Sequence, residues 1–383
     1  MKLARLNSSV LRSLLEHCRM ASFALRSITY NSFTNKSAMV DVAVEPLLWM
    51  VEKITKYLGP IMVVMVIILC SLILVILYVF GAPFVLSEQG WFPFIFHIVF
   101  GHWLFLNTLF NYYKGVTTPP GYPPATPGGR CSVCFKVLSD TSVATICKKC
   151  IAPKPPRTHH CSLCNKCVLK MDHHCPWLNN CVGHFNHRYF ISFCIYMTLG
   201  TAYISIFIWP LFAREFFDAK KTFKSLLQGS LLFYFLKYNV KEPELEENVP
   251  SGHTHTGSWT DYDSVQHKAV TFLFFLTFSV VLALGMLTMW HARLISKGET
   301  SIEKNINNKE RRRLKQLNVE YKNPYDFGFR QNWRDLLGLS EKRTFWRHIL
   351  FPSSHPPNGD GIHWKRIPTP GFVTKNGNSF HSC

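Results

Sequence analysis

Residues Ile61–Phe80 read IMVVMVIILCSLILVILYVF, twenty positions interrupted only by Ser71. As a helix such a run covers the roughly 30 Å of a bilayer's hydrocarbon core. Helices buried in soluble proteins rarely run so far without a charge, so this stretch predicts a membrane span. Working outward, a second apolar stretch covers Trp91–Tyr113. It carries His97, His102 and Asn107, polar groups expected to face other helices, and aromatic ends suited to the interface. Two more candidates follow at Tyr189–Phe212 and Ala269–Ile295, giving four in all. The 48% hydrophobic and 17% charged composition of the 383 residues fits a polytopic membrane protein and excludes a set of soluble domains.

The charges predict how those spans are oriented. Lys plus Arg outnumber Asp plus Glu by 42 to 23. Residues 81–90 contain no Lys or Arg, whereas Lys114 to Arg188 carries ten basic residues against Asp140 and Asp172. The positive-inside rule puts the latter segment in the cytosol. With four spans, both termini fall on that side, including the basic run Arg311, Arg312, Arg313 and Lys315. Juxtamembrane basic residues near anionic lipid account for the charge without nucleic acid. The N-terminal bases (Lys2, Arg5, Arg12, Arg19, Arg26) precede no long apolar core, so no cleaved signal is expected.

The resulting plan is a cytosolic N-terminal segment with an interfacial helix (1–56), spans one and two (57–113), and a Pro/Gly-rich linker (114–146). A cysteine-rich domain (147–188), span three (189–212), a luminal loop (213–268), span four (269–295) and a cytosolic C-terminal domain (296–383) follow. The luminal loop carries an apolar patch, Leu226–Tyr238, too short to span. The fold class expected is an all-α membrane protein whose cysteine-rich domain binds two zinc ions between helices two and three.

That domain reads Cys147-Lys-Lys-Cys150, then His159-His160-Cys161-Ser-Leu-Cys164-Asn-Lys-Cys167, then Asp172-His173-His174-Cys175-Pro-Trp177-Leu-Asn-Asn-Cys181. Paired CxxC turns aim sulfurs at one tetrahedral ion and indicate zinc in a reducing compartment, not a disulfide framework. Seven cysteines and four histidines exceed by three the eight ligands that two zinc ions need. A cross-braced RING would close on another CxxC pair, which is lacking here, and no recognition helix follows for nucleic acid.

Asp172-His173-His174-Cys175 within this frame resembles the DHHC family of protein S-acyltransferases, the palmitoyltransferases, and the likeness covers nearly the whole chain. Thr117-Thr118-Pro119-Pro120-Gly121 stands where the family has Asp-Pro-Gly, with the acid absent. Thr300-Ser301-Ile302-Glu303 resembles its Thr-Thr-x-Glu element with Ser second. Asn323-Pro324-Tyr325-Asp326, with Gly328 and Asn332, resembles its C-terminal packing motif. The resemblance implies one zinc on Cys147, Cys150, His160 and Cys167 and another on Cys161, Cys164, His174 and Cys181, both structural.

His159, His173 and Cys175 are then left over. Cys175 is free to be a nucleophile, His173 to take its proton, and Asp172 to fix the His173 tautomer, the constellation that thiol activation requires. The implied reaction transfers a long acyl group from palmitoyl-CoA, or another long-chain acyl-CoA, to Cys175. From there it passes to cysteine thiols of cytosolic or membrane-associated proteins. Trp177, Phe190 and Phe193 are candidates to line the acyl chain in the bilayer, and Gly200 leaves room in mid-span. The resemblance further implies an endomembrane location, endoplasmic reticulum or Golgi apparatus. Lys and Arg between Cys147 and Arg188 are candidates for the CoA phosphates.

Two rival readings have different signatures. A zinc-stabilised membrane scaffold without acyl transfer needs the eight ligands but not Asp172, His173 and Cys175. A channel, suggested by His97 and His102, is disfavoured by four spans without a repeat. Cys131 and Cys134 form a further CxxC that the family frame does not require. They are read as linker thiols, and Cys18, Cys70, Cys194 and Cys383 as free thiols.

Overall fold

The computed structural model describes residues 19–20, 22, 36–124, 145–217 and 259–367. The Cys131/Cys134 pair, the apolar patch 226–238 of the expected luminal loop, Cys18 and Cys383 lie outside the described residues. The chain divides into two units, Met1–Gly59 and Pro60–Cys383. In the first, the described structure is mainly helical, from Lys36 on.

Among the described residues, four helices are long and apolar enough to cross a membrane: Tyr57–Glu88, Trp91–Thr117, His187–Phe216 and Tyr262–Ser296. The first spanning stretch is composite. Helix α1 (Lys36–Ile76) passes through one π-turn, Leu77–Gly81, into α2 (Ala82–Glu88). Pro83 stands at the start of α2, where its missing N–H is absorbed by the change of helical pitch. The second and third spans are α3 (Trp91–Thr117) and α4 (His187–Phe216), and the fourth lies in α5 (Trp259–Ser296). The shortest, at 27 residues, extends about 40 Å, enough to cross with tilt.

Helix α4 is the central strut. Of its most apolar window 44% is buried, against 17–22% in the other three, which present most of their surface outward. Phe80, Ile208, Leu211, Phe212, Val270 and Leu273 pack into one apolar cluster of α4, α5 and the first span. Several polar side chains within the spans find partners there, as hydrocarbon demands. His97 bonds Tyr203, His102 bonds Tyr78 at 2.7 Å, and Ser205 donates to Thr277 at 2.8 Å. Asn107 and Trp103 reach the Leu350 carbonyl at 3.3 and 2.8 Å, fastening the C-terminal segment to α3.

The all-α expectation is corrected between α3 and α4. Among the described residues, three antiparallel hairpins stand there: β1 (Thr145–Cys147) with β2 (Ala152–Lys154), β3 (His159–Cys161) with β4 (Lys166–Val168), and β5 (His173–Cys175) with β6 (Asn180–Val182). Strands of three residues are too short to show an alternating apolar pattern. Cys/His clusters, not an apolar face, organise these hairpins, so periodicity gave no sign of them.

After α5 the chain turns at Gly298 (φ +63°), where a Cβ would lie 2.2 Å from the Tyr325 carbonyl oxygen. Only glycine admits that approach. Helices α6 (Ser301–Gln316), α7 (Phe329–Leu337) and the single turn α8 (Phe345–His348) follow. The expected packing motif locks this tail to the end of α5. Asn332 donates to the Ser296 carbonyl at 3.0 Å and to Asp326 at 2.8 Å, and Asn323 donates to the Lys297 carbonyl at 2.8 Å.

Candidate active site

The hairpin register explains how eight candidate ligands become two clusters. Across β3–β4, His160 faces Cys167, and across β5–β6, His174 faces Cys181. Each such pair meets the CxxC turn of the preceding hairpin. Cys147, Cys150, His160 and Cys167 form one group, and Cys161, Cys164, His174 and Cys181 the other. In each turn the second cysteine's N–H donates to the first sulfur at 3.4 Å, which tightens the turn.

The donor sets suit zinc. With Zn–S about 2.3 Å and Zn–N about 2.0 Å, a tetrahedron has edges of about 3.5–3.8 Å. In the first group the Nδ1 of His160 lies 3.6, 3.2 and 3.9 Å from the sulfurs of Cys147, Cys150 and Cys167. In the second, the Nδ1 of His174 lies 3.8, 3.4 and 3.5 Å from Cys161, Cys164 and Cys181. Both clusters could hold a zinc ion.

Strand alternation then separates metal from chemistry. Side chains along β5 point to opposite faces in turn. With His174 committed to the second cluster, His173 and Cys175 share the other face. Asp172 precedes them, anchored by its N–H to the Val182 carbonyl at 2.9 Å and 1% exposed. His173 donates from Nδ1 to Asp172 Oδ2 at 2.6 Å, which leaves Nε2 for Cys175. Asp172 also accepts from the N–H and hydroxyl of Ser301 at 2.7 and 3.0 Å.

These contacts set the protonation. Burial works against ionised Asp172, yet the His173 hydrogen bond and neighbouring imidazoles hold its carboxyl well below the usual range. Burial alone would lower His173. Hydrogen bonds to Asp172 and Cys175 outweigh it and push the imidazolium up to about 9. A histidine so placed can hold a proton received from a neighbouring group.

Ser301 reaches Asp172 because α6 begins there. Thr300 caps α6 through a full capping box with Glu303, which exposes the Ser301 N–H toward Asp172. Glu303 also takes a bidentate hydrogen bond from Arg157, both contacts 2.6 Å, with the two side chains 10% and 5% exposed. The serine in the second place of the Thr-Thr-x-Glu-like element therefore keeps the hydroxyl contact. The Thr117–Gly121 stretch, which lacks the family's acid, instead accepts at the Thr118 carbonyl from Asn180 and Asn186 at 3.0 and 3.2 Å.

Around Cys175, which is 7% exposed, the walls are apolar: Tyr112, Leu178, Val182, Phe190, Phe193 and Cys194. The Phe190 ring stands edge-on to His173 at 5.0 Å. Trp177 is placed differently. Its side chain is 48% exposed, and its backbone carbonyl accepts from Tyr112 at 2.9 Å. The remaining leftover residue, His159, lies at the start of β3, and burial lowers its imidazolium. Three residues of the site carry no role in the sequence expectations: Ser301, His187 and His291. The last is an ionisable group in the apolar fourth span, the signal that would have marked it.

Comparison with known proteins bears on what this constellation does. A family profile described as DHHC palmitoyltransferase matches residues 141–308. Palmitoyltransferase ZDHHC16 of Homo sapiens is 44% identical over 359 residues, which cover 94% of this chain and 89% of that protein. Palmitoyltransferase ZDHHC16B of Danio rerio is 42% identical over 89% of this chain and 86% of its own length. Probable protein S-acyltransferase 12 of Arabidopsis thaliana is 28% identical over 70% of the chain and 77% of its own.

Proposed function

The chain belongs to the DHHC palmitoyltransferase family, and from that footing we propose that Cys175 is the residue through which it transfers acyl groups. It is a protein S-palmitoyltransferase, an enzyme that acts on proteins at a membrane. The donor on this reading is palmitoyl-CoA or another long-chain acyl-CoA. The observation that carries the assignment is β5 itself. It turns His174 toward one Cys/His cluster while presenting His173 and Cys175 together, with Asp172 held beneath them.

The steps follow from this geometry. His173 takes the Cys175 proton, and the thiolate attacks the thioester carbonyl of the acyl-CoA. The carbon–sulfur bond to CoA breaks, and the departing CoA thiolate receives the proton from His173. A substrate cysteine then attacks the Cys175 thioester with the same proton traffic. Asp172 keeps His173 in the tautomer that aims Nε2 at sulfur, and Ser301 keeps Asp172 in place. One thioester replaces another, so a covalent intermediate loses little driving force.

Phe190 and Phe193, against Cys175, line the beginning of the acyl path, with Trp177 at its rim. A cavity walled by Cys70, Leu104, Met197, Gly200, Thr201 and Phe207 extends the path among the spans. Zinc on the two Cys3His sets would be structural, and each set with a dication carries a formal charge of minus one. Accepting the Cys175 proton is then the task of His173. The basic segment 114–188 and the basic tail support a cytosolic zinc domain and cytosolic termini. The endoplasmic reticulum or Golgi apparatus is the proposed station.

The test is autoacylation of purified protein with an alkyne-tagged palmitoyl-CoA before and after neutral hydroxylamine. Labile label, absent from Cys175→Ser and slow to form in His173→Ala, is expected. Equal labelling of the parent and both variants would put the acyl group on another cysteine and overturn the assignment, and a parent that takes no label would point to a zinc-stabilised scaffold instead.

A further inference from the structure

A third group of potential ligands adjoins the catalytic residues and contains no cysteine. Asp172, His187 and His291 come from three separate elements: the turn before β5, the first turn of α4 and the last turns of α5. All three are buried, at 1%, 2% and 3% exposure. One ligand atom from each lies within 4.8 Å of the others, and His291 Nδ1 is 3.7 Å from Asp172 Oδ2.

Their hydrogen bonding is incomplete. Among the described residues, neither ring nitrogen of His187 and not the Nδ1 of His291 has a hydrogen-bond partner. Buried polar atoms seldom go unpartnered, and each that does calls for an explanation. The acyl-transfer steps use neither ring. Two imidazoles and a carboxylate converging at this spacing are a donor set for a divalent ion such as zinc, weaker and more exchangeable than a thiolate site.

We propose that Asp172, His187 and His291 form a third, exchangeable Zn2+ site whose occupancy switches acyl transfer off. A dication there shares the carboxylate that orients His173, and its charge opposes the imidazolium that must form during each proton transfer. Access is provided on one side. His187 lines a polar cavity with Lys170, His184, Glu299, Asp335 and Trp364. The cavity carries acids as well as bases, and Arg157 in its wall is neutralised by Glu303. The switch rests on the acyl-transfer role proposed for Asp172, His173 and Cys175, whereas metal binding stands independently of it.

The experiment uses the full-length protein in detergent, titrated with buffered Zn2+ and, in parallel, with Co2+. The parent should bind a third equivalent beyond the two thiolate-rich sites. Its cobalt form should show weak bands without added thiolate charge transfer, and autoacylation should fall about tenfold as that equivalent is taken up. His291→Ala and His187→Asn should retain two equivalents and bind a third at least about tenfold more weakly. They should also resist zinc inhibition relative to their own metal-poor rates. Cys175→Ser should still bind the third equivalent, which separates failure of the site from failure of the nucleophile assignment. Undiminished thiolate charge transfer checks that a variant is folded. If neither variant folds, the parent's stoichiometry and cobalt spectrum decide. A parent that stops at two equivalents, or variants that keep the third, would overturn the site. A third equivalent without loss of autoacylation would overturn the switch.

Discussion

Asp172→Asn removes the acceptor of the strongest contact on His173 while preserving size and burial. The carboxylate accepts the 2.6 Å hydrogen bond from His173 Nδ1 and two more from Ser301. His173 stands at about 9 against an ordinary value near 6.5. That elevation corresponds to about 3 kcal/mol of preference for the protonated ring beside Cys175, shared between Asp172 and the Cys175 sulfur. If Asp172 supplies between half and all of it, acyl-enzyme formation should slow by about 10- to 200-fold. An amide that turns its NH2 toward Nδ1 would also favour the wrong tautomer and drive the loss to the upper end. The assay is single-turnover autoacylation at saturating palmitoyl-CoA and pH 7.5, with bound zinc measured on the same sample to check that the domain is intact. A rate within about threefold of the parent, at full zinc content, would refute the role given to Asp172.

Other outcomes follow from neighbouring contacts. Ser301→Ala removes one hydroxyl bond to a charged acceptor and should cost about tenfold in the same rate, whereas Ser301→Thr should stay within about twofold. Arg157→Met leaves Glu303 buried and unpaired, and thermal melting should report a loss of about 3–5 kcal/mol that Arg157→Met with Glu303→Met largely restores. Burial, with Lys170 adding to it, pushes the His184 imidazolium down to about 4, below its unfolded value of about 6.5. The stability His184 confers is thus complete above pH 6.5 and is lost as pH falls from there toward 4, by up to about 3 kcal/mol. Melting profiles between pH 7.5 and 5 should show that loss in the parent and a flatter dependence in His184→Gln. An unchanged profile in the variant would contradict it.

The spans were legible because a bilayer demands long uninterrupted apolar runs, and Ile61–Phe80 is one. Where a helix changes pitch was not legible, since the π-turn at Leu77–Gly81 depends on Pro83 and on packing against α4. The metal-ligand candidates could be grouped from CxxC spacing and family resemblance, but the hairpins between them left no periodic trace. His173 and Cys175 stood out, with His159, as groups beyond the ligand count, and Asp172 by its place beside His173. The contact of Ser301 with Asp172 spans 129 residues of sequence and exists because a helix cap happens to face β5. Trp177, Phe190 and Phe193 looked alike as aromatic residues near a span. Only the turn at Pro176–Leu178 sends Trp177 outward while the other two pack on Cys175.

The central claim is that acyl groups pass through Cys175. It is tested most directly by isolating acylated enzyme free of acyl-CoA, locating the acyl group by peptide mass spectrometry, and chasing with a cysteine-containing protein substrate. The acyl group should sit on Cys175 and leave it at the rate at which labelled substrate appears, no slower than steady-state turnover. An acyl group on another cysteine, or a Cys175 thioester that decays more slowly than turnover, would contradict the account.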